Sequence, residues 1–463
     1  MSAVETLAEF VTALRIRDVS ETALDQLRLH LFDTIGAALA GGTTAEGSAI
    51  RSFVADSGAS GEVLAPGLGL RTSAPVAALA TCAATRCTEV DDIHLESCTT
   101  PGSVVVPAVL ALASGQTDLD VERFLAALLA GYEVLTRFGK AANGPTILYR
   151  GFWPTYLAST VAIAAAASRA LDLPREEAAH AIATALTLTA GTIGRARGLA
   201  ARWLTLGLAV QNGILVALAA RRGFRGDLSL LDGGSVAGIS VETETLLRGL
   251  GDSFEIERVS IKPYCAAKQV TGVIYGFVGL LDEKKLEPAM IERVVVGVPT
   301  PYATMVNQPE PPADRLGTIT SAQYQLALAL YQREELQDVR RLVIHDEPAF
   351  HRFMATVTVE ADADLDRYYP AAWPARVEIS TPSGRLMREV RHTKGDPSNP
   401  VTWDDAVEKV CRVTDGIIDR HLVDRLAGVC RGLGAGARLA DLLATLSALT
   451  PPRDEAGPEL FPG

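Results

Sequence analysis

Lys262 and Tyr324 are the two side chains best suited to move a proton or steady a developing anion. A lysine keeps its proton to about pH 10.4, so Lys262 becomes a base only if cations such as Arg202 or Lys268 lie close and depress it. Kept charged, it holds a carboxylate or an enolate oxygen instead; the competing reading is a solvated lysine in a surface ion pair. Tyr324, on an expected helix beside an apolar run, offers a phenolic proton to an oxyanion, against the alternative of a core tyrosine with a satisfied hydroxyl. Asp92 and His94 stand two apart in an expected loop, where Asp92 either orients His94 or is the base itself; the alternative is loop and helix capping. Arg202, with Arg195 and Arg197 upstream, suits a bidentate grip on a carboxylate, although arginines in helix-connecting turns are commonly exposed and idle. Cys265 follows closely on Lys262, but no His/Asn constellation marks it as a nucleophile.

These residues need elements to place them. From Thr6 to about residue 260 the pattern is helical and rich in alanine, with apolar residues at three- and four-residue spacing through Phe124–Phe138, Tyr156–Leu171, Glu176–Ala190 and Leu204–Ala220. Pro174 and the Arg222-Gly223-Phe224 cap end two of these helices. Side chains this small predict a closely packed bundle. Near residue 290 the texture changes: Arg293–Val298, Thr356–Glu360 and Arg376–Ser380 are rich in β-branched residues and separated by turns such as Pro382-Ser-Gly384, with a helix expected over Thr320–Arg333. Helical texture returns from Asp404 to about Leu449. The expected fold is therefore mainly α with an α+β domain: helices over 1–265, an inserted α+β lid over 266–400, returning helices over 401–449 and a tail over 450–463.

Composition narrows the partners. The chain has 463 residues, 48% apolar and 21% charged, which is ordinary for a packed globular protein. A net charge of −12 without a basic tract argues against nucleic acid and anionic lipid. Six cysteines without CxxC or Cys/His spacing argue against structural zinc or a disulfide framework, so no metal is expected. No signal sequence is visible in MSAVETLAEF, and the cytoplasm is the expected compartment. Trp203–Ala220 carries no charge and approaches the roughly 20 residues of a membrane span. It also contains Thr205, Gln211, Asn212 and two glycines, and is read as a buried bundle helix. There is no GxSxG, HExxH or P-loop, and Gly432-Leu-Gly-Ala-Gly-Ala437 follows a helix rather than a strand, so it reads as a helix-to-helix turn, not a dinucleotide fingerprint. No cofactor is expected.

Several segments occur in an order that carries a resemblance. They are Asp33-Thr-Ile-Gly-Ala-Ala-Leu-Ala-Gly-Gly42, Glu89-Val-Asp-Asp-Ile-His-Leu-Glu-Ser97, Pro101-Gly-Ser-Val-Val-Val-Pro-Ala108 and Gly131-Tyr-Glu-Val134. Tyr149-Arg-Gly-Phe-Trp-Pro-Thr155, Ile261-Lys-Pro-Tyr264, Ser321-Ala-Gln-Tyr324 and Lys394-Gly-Asp-Pro-Ser-Asn-Pro400 follow. Together they resemble the MmgE/PrpD family of 2-methylcitrate dehydratases and cis-aconitate decarboxylases over nearly the whole chain. The resemblance implies a large helical domain, a smaller α+β lid, a homodimer and an active site in a cleft between domains. It also implies cofactor-free dehydration, decarboxylation or isomerisation of polycarboxylic acids, by removal of a proton or CO2 beside a carboxyl group.

The chain departs from the family pattern at several site positions. Thr100 stands where members show a histidine before the Pro-Gly turn, and Trp153 replaces the histidine of the Gly-Phe-His-x-Thr pattern that ends at Thr155. Arg202 replaces a lysine, Thr205 and Thr271 replace histidines, and Ile93 replaces a threonine. Asp91, Asp92, His94, Lys262, Tyr264 and Tyr324 remain. Thr100, Trp153, Thr155, Thr205, Tyr264 and Lys268 are expected to bind substrate with Arg202, while Lys262, Tyr324, His94 and Asp92 are the catalytic candidates. Loss of imidazoles removes proton shuttles active near neutral pH. The expected substrate is a small carboxylic acid or ketone, less anionic and more apolar than methylcitrate. Three functions stay open: a proton-abstracting lyase or isomerase, a cyclase of specialised metabolism on the same scaffold, and a metabolite-binding paralogue without catalysis.

Overall fold

The structure, a computed structural model, describes residues 1–116, 118–189, 201–341, 344–345 and 347–449. Arg195 and Arg197, and the tail from 450 onward, lie outside the described residues. Among the described residues the chain forms two compact units: one built from 1–189, 201–259 and 402–449, the other from Ser260–Val401. The fold is mainly α with an α+β portion, as the periodicity predicts.

The body of the first unit is the set of helices Glu21–Gly41, Ala74–Cys87, Gly102–Gly115, Val121–Ala141, Pro154–Ala170, Arg175–Thr187 and Ala201–Ala220. Their starts are written locally: the Ser20 side chain accepts from Ala23 N, and the Asp120 carboxylate from Arg123 N. Glycines set how closely the helices approach. A Cβ on Gly131 would lie 2.6 Å from Val105 Cγ1, one on Gly213 2.5 Å from Ile163 Cβ, and one on Gly207 2.5 Å from the Leu79 carbonyl oxygen. The Ala201–Ala220 helix, charge-free after Arg202, is, among the described residues, the one long and apolar enough to cross a membrane. It buries Trp203, Leu206, Val210, Ile214 and Ala217 while packing on Ala74–Cys87 and Pro154–Ala170, and leaves Leu208 and Leu215 exposed.

The chain returns to this unit through helices Trp403–Val413, Arg420–Gly432 and Leu439–Leu449, the first two packing on Glu21–Gly41. Lys409 Nζ, buried, donates to Asp33 Oδ2 at 3.0 Å and to the Val90 carbonyl at 2.7 Å. Burial raises the Asp33 carboxyl above its ordinary range, and the Lys409 charge opposes this. The 432–437 segment is a turn between helices, with Gly434 at φ +78° where a side chain would be strained.

The second unit carries a four-stranded sheet of Arg293–Val298 (β1), Val357–Ala361 (β2), Ala375–Thr381 (β3) and Gly384–Val390 (β4), in the order β4-β3-β1-β2. Strand β1 runs parallel to β2 and antiparallel to β3, and β3 turns into β4 as a hairpin. Strand β4 has no counterpart in the sequence reading, because its exposed Arg385, Met387 and Glu389 conceal the alternation. Helix Lys268–Lys284 lies on β3 and β4, where Gly276 meets Val377 and Val390. Helix Ala322–Tyr331, which bears Tyr324, packs on Lys268–Lys284 and on Pro348–Thr356.

Candidate active site

Asp92 lies in the connection from helix Ala74–Cys87 to helix Gly102–Gly115 and is wholly buried. Glu89 at φ +57° and Cys98 at φ +56° bracket this stretch with left-handed backbone that only over-determined surroundings hold in place. Asp92 Oδ1 accepts from Gly102 N at 2.7 Å, and Oδ2 accepts from Tyr132 Oη at 2.9 Å and His30 Nδ1 at 2.9 Å. A Cβ on Gly102 would fall 2.8 Å from Asp92 Oδ2, so the glycine after Pro101 is what lets this carboxylate reach the helix terminus. Its accepting capacity is committed to three elements of the unit. This does not present a free base.

His94 is likewise engaged at both nitrogens. Ser97 N donates to Nδ1 at 3.2 Å, which places the ring proton on Nε2, and Nε2 donates to Glu255 Oε2 at 3.1 Å. Lys140 Nζ donates to Glu255 Oε1 at 2.9 Å. Burial by itself would raise the Glu255 carboxyl, but the hydrogen bonds from His94 and Lys140 and the nearby positive charge outweigh it and hold the group well below the usual carboxylate range. Glu255 N in turn donates to Glu133 Oε1 at 2.6 Å, and Glu133, paired to Arg137, is pushed up to about 7 by its burial.

Beside this network stands a stack of guanidinium groups and indoles. Trp153, the cap of helix Pro154–Ala170, meets Trp203 edge to face with centroids 6.4 Å apart. The Arg202 guanidinium lies 4.3 Å from the Trp203 ring and 5.2 Å from Trp153; that of Arg86 lies 5.3 and 5.1 Å from the same rings. Arg86 is neutralised by Glu89 at 2.8 Å and Asp91 at 3.3 Å. Arg202 differs: its Nε is enclosed without a hydrogen-bond partner among the described residues. Burial, with Arg86 adding to it and Glu89 opposing, pushes Arg202 down to about 10. Thr155, the second residue of the helix that Trp153 caps, accepts from Thr100 N at 3.1 Å, which joins the Thr100–Pro101–Gly102 turn to the stack. Thr205 bonds the Arg202 carbonyl at 3.0 Å. The structure thus gathers Thr100, Trp153, Thr155, Arg202 and Thr205 in one neighbourhood of the first unit.

In the second unit, Lys262 is 1% exposed within the Ile261-Lys262-Pro263-Tyr264 segment. Burial pushes the half-buried Tyr264 up to about 12. Tyr324 is fully buried, with its ring centroid 5.0 Å from that of Phe350 and its phenolic oxygen accepting from His345 N at 3.2 Å. That bond leaves the phenolic proton available to donate, and burial raises its pKa. His345 is held between Glu335 at 3.0 Å and Glu347 at 3.3 Å. Lys268 is buried and donates to Asp396 Oδ1 at 2.5 Å and Thr393 Oγ1 at 2.8 Å, so its charge is matched within its own unit.

Sequence reasoning did not find His30, Tyr132, Glu255, Arg86 or Trp203 as partners of these residues. Tyr132 lies inside the Gly131–Val134 segment already singled out, and Arg86 precedes Glu89 and Asp91 by three and five residues, a spacing around a helix end that signals a local ion pair. His30 and Glu255 are 62 and 161 residues from their partners and left no local signal.

A helical unit interrupted by an α+β unit, with these motifs in this order, defines the class. The MmgE/PrpD N-terminal domain family matches residues 5–240 and the MmgE/PrpD C-terminal domain family residues 264–431. The protein belongs to the MmgE/PrpD family. It is 24% identical over 468 aligned residues to the cis-aconitate decarboxylase-like protein oryM of Aspergillus oryzae, covering 95% of this chain and 96% of the relative. It is 26% identical over 244 residues to a cis-aconitate decarboxylase of Aspergillus terreus, covering 49% of each chain.

Proposed function

We propose that the protein is a lyase or isomerase that removes a proton beside the carbonyl of a small organic acid, with loss of water or CO2 or migration of a double bond to follow. The observation that carries this reading is Arg202: a cation stacked on Trp203 and Trp153, with an enclosed Nε that lacks a partner among the described residues. A bound carboxylate supplies what that group lacks, by a charge-assisted and bidentate pair. The neighbouring Arg86 is already neutralised, so among the described residues the cluster offers one guanidinium without an ion pair rather than the several cations a tricarboxylate calls for. The two indoles suit a planar apolar body next to that carboxylate. Names of relatives such as cis-aconitate decarboxylase support lyase chemistry of this general kind.

In the proposed reaction Lys262 takes the α-proton or holds the resulting oxyanion, and Tyr324 donates its phenolic proton toward the enolate oxygen. The electron pair of the broken C–H bond moves into the enolate. It then returns to expel hydroxide, which leaves as water, or to be protonated at a new carbon; in the decarboxylating case the pair comes from the C–C bond to CO2. The paired indoles also favour, as a second reading, cyclisation of a larger unsaturated substrate. Action as a homodimer belongs to the same proposal and is read by sedimentation.

The test uses two probes in deuterated water followed by NMR: cis-aconitate, and styrylacetate, a planar β,γ-unsaturated monocarboxylate. Styrylacetate should exchange its α-protons faster, and Lys262→Ala or Tyr324→Phe should slow exchange by about a hundred- to ten-thousandfold, leaving a measurable residual rate. Preferential turnover of cis-aconitate, or exchange indifferent to both substitutions, refutes the proposal. Ring formation without exchange selects the cyclase.

A further inference from the structure

The Lys394–Pro400 segment supplies no group to the chemistry above, yet a buried ion pair is built into it. Asp396, 2% exposed, accepts from Lys268 Nζ at 2.5 Å, from Thr393 N at 2.7 Å and from Thr393 Oγ1 at 3.0 Å. Lys268 Nζ also donates to Thr393 Oγ1 at 2.8 Å. Backbone bonds close the turn around this pair: Asp396 N to the Thr393 carbonyl at 3.1 Å, Asn399 N to the Asp396 carbonyl at 2.8 Å, and Gly395 N to the Asn399 carbonyl at 2.9 Å. Gly395 sits at φ +97°, a conformation that side chains resist.

At Gly395 the turn touches the segment bearing the candidate base. Ile261 N donates to the Gly395 carbonyl at 2.9 Å, and a Cβ on Gly395 would fall 2.0 Å from the Ile261 carbonyl oxygen. Lys262 is the next residue. Beyond it the chain is fixed by other contacts: Gln337 Nε2 donates to the Pro263 carbonyl at 2.8 Å, Cys265 N to the Leu336 carbonyl at 2.8 Å, and Ala267 N to the Ile319 carbonyl at 2.9 Å. The backbone of Lys262 is therefore held between two anchors, and the N-terminal anchor is the turn whose shape the ion pair sets. Lys268 is buried, and its charge is already met by Asp396, so it is better placed to hold that turn than to receive an anionic ligand.

We infer that Lys268 and Asp396 are positioning residues, which fix through the Gly395–Ile261 contact the backbone from which Lys262 projects. The inference rests on the proposed role of Lys262. A displacement of about 1 Å in a reacting group can cost about a hundredfold in rate, so Asp396→Asn should lower kcat for styrylacetate exchange by about ten- to a hundredfold while KM moves less than about twofold. The closing experiment is a double-mutant cycle with Lys262→Ala, read with hydrogen exchange at the Ile261 amide. In the Lys262→Ala background, Asp396→Asn should add almost nothing; in the parent background the Ile261 amide should lose protection while the Cys265 and Ala267 amides keep theirs. Equal rate losses in both backgrounds, a change confined to KM, or an Ile261 amide as protected as before overturns the inference. The amide measurement needs no substrate. An unchanged rate in Lys262→Ala alone instead removes the proposed role of Lys262, so the two failures are told apart. If Asp396→Asn does not fold, Thr393→Val, which removes only the hydroxyl, takes its place under the same criteria.

Discussion

Replacing Asp92 by alanine strands three buried donors at once: Gly102 N, Tyr132 Oη and the ring N–H of His30. Each buried donor left without an acceptor costs about 1–3 kcal/mol. Water entering the vacated space, and relief from burying a carboxylate, offset part of that sum, which leaves a net loss of about 3–5 kcal/mol. In a protein of 463 residues, whose unfolding entropy is about 1 kcal/mol/K, the melting temperature should fall by about 3–5 °C. Asp92→Asn keeps an acceptor for Gly102 N and should lose only about 1–2 kcal/mol. Urea unfolding followed by circular dichroism reads both variants, and Tyr132→Phe completes a cycle: it should cost less in the Asp92→Ala background, because its hydroxyl has already lost its acceptor. An Asp92→Ala protein that melts like its parent but does not exchange the probe would show that Asp92 acts in the chemistry and that the three-donor argument is wrong.

Three further outcomes follow from the geometry. Arg202→Lys should raise KM for styrylacetate about tenfold with little change in kcat, since a lysine neither stacks on Trp203 nor grips a carboxylate at two points; steady-state kinetics checks it, and an unchanged KM removes Arg202 from the binding site. Glu255→Gln bears on pH: the parent carboxyl is depressed in the folded state, so its stabilisation is complete above the ordinary value of about 4.3 and fades as pH falls through the folded value. The stability gap between parent and variant should thus be wide at pH 7 and measurably narrower at pH 3 in urea titrations. Gly207→Ala forces a Cβ to within 2.5 Å of the Leu79 carbonyl oxygen and should destabilise by about 1–3 kcal/mol, seen as a lowered melting temperature.

What could be read from the sequence was whatever depends on neighbours in the chain. The Arg293–Val298 strand shows in its run of valines, and the ends of the Pro154–Ala170 and Ala201–Ala220 helices show in Pro174 and in Gly223 at φ +90°. Glycine and alanine content alone anticipated the close helix approaches at Gly131 and Gly213. Side-chain partnerships were not legible in the same way. Lys268 is expected to bind substrate, and nothing near it in the sequence announces its bond to Asp396, 128 residues on. Trp203 read as part of an apolar run, and only its meeting with Trp153 and two guanidinium groups gives it another character. Asp92 and His94 were noticed as reactive types, but their donors and acceptors come from helices that spacing does not link to them.

The bond between Lys409 and Asp33 has a consequence for biosynthesis. Its two ends are 376 residues apart, so at about 5–20 residues per second the ribosome delivers the lysine roughly 20–75 s after the aspartate. Through that interval the first helices have a carboxylate destined for the interior and no cation to accompany it, while all of Ser260–Val401 is made. The helical half can assemble in outline early, but it acquires its final charge balance only when the last helices emerge, and a nascent chain stalled before them should be a preferred client of chaperones and proteases.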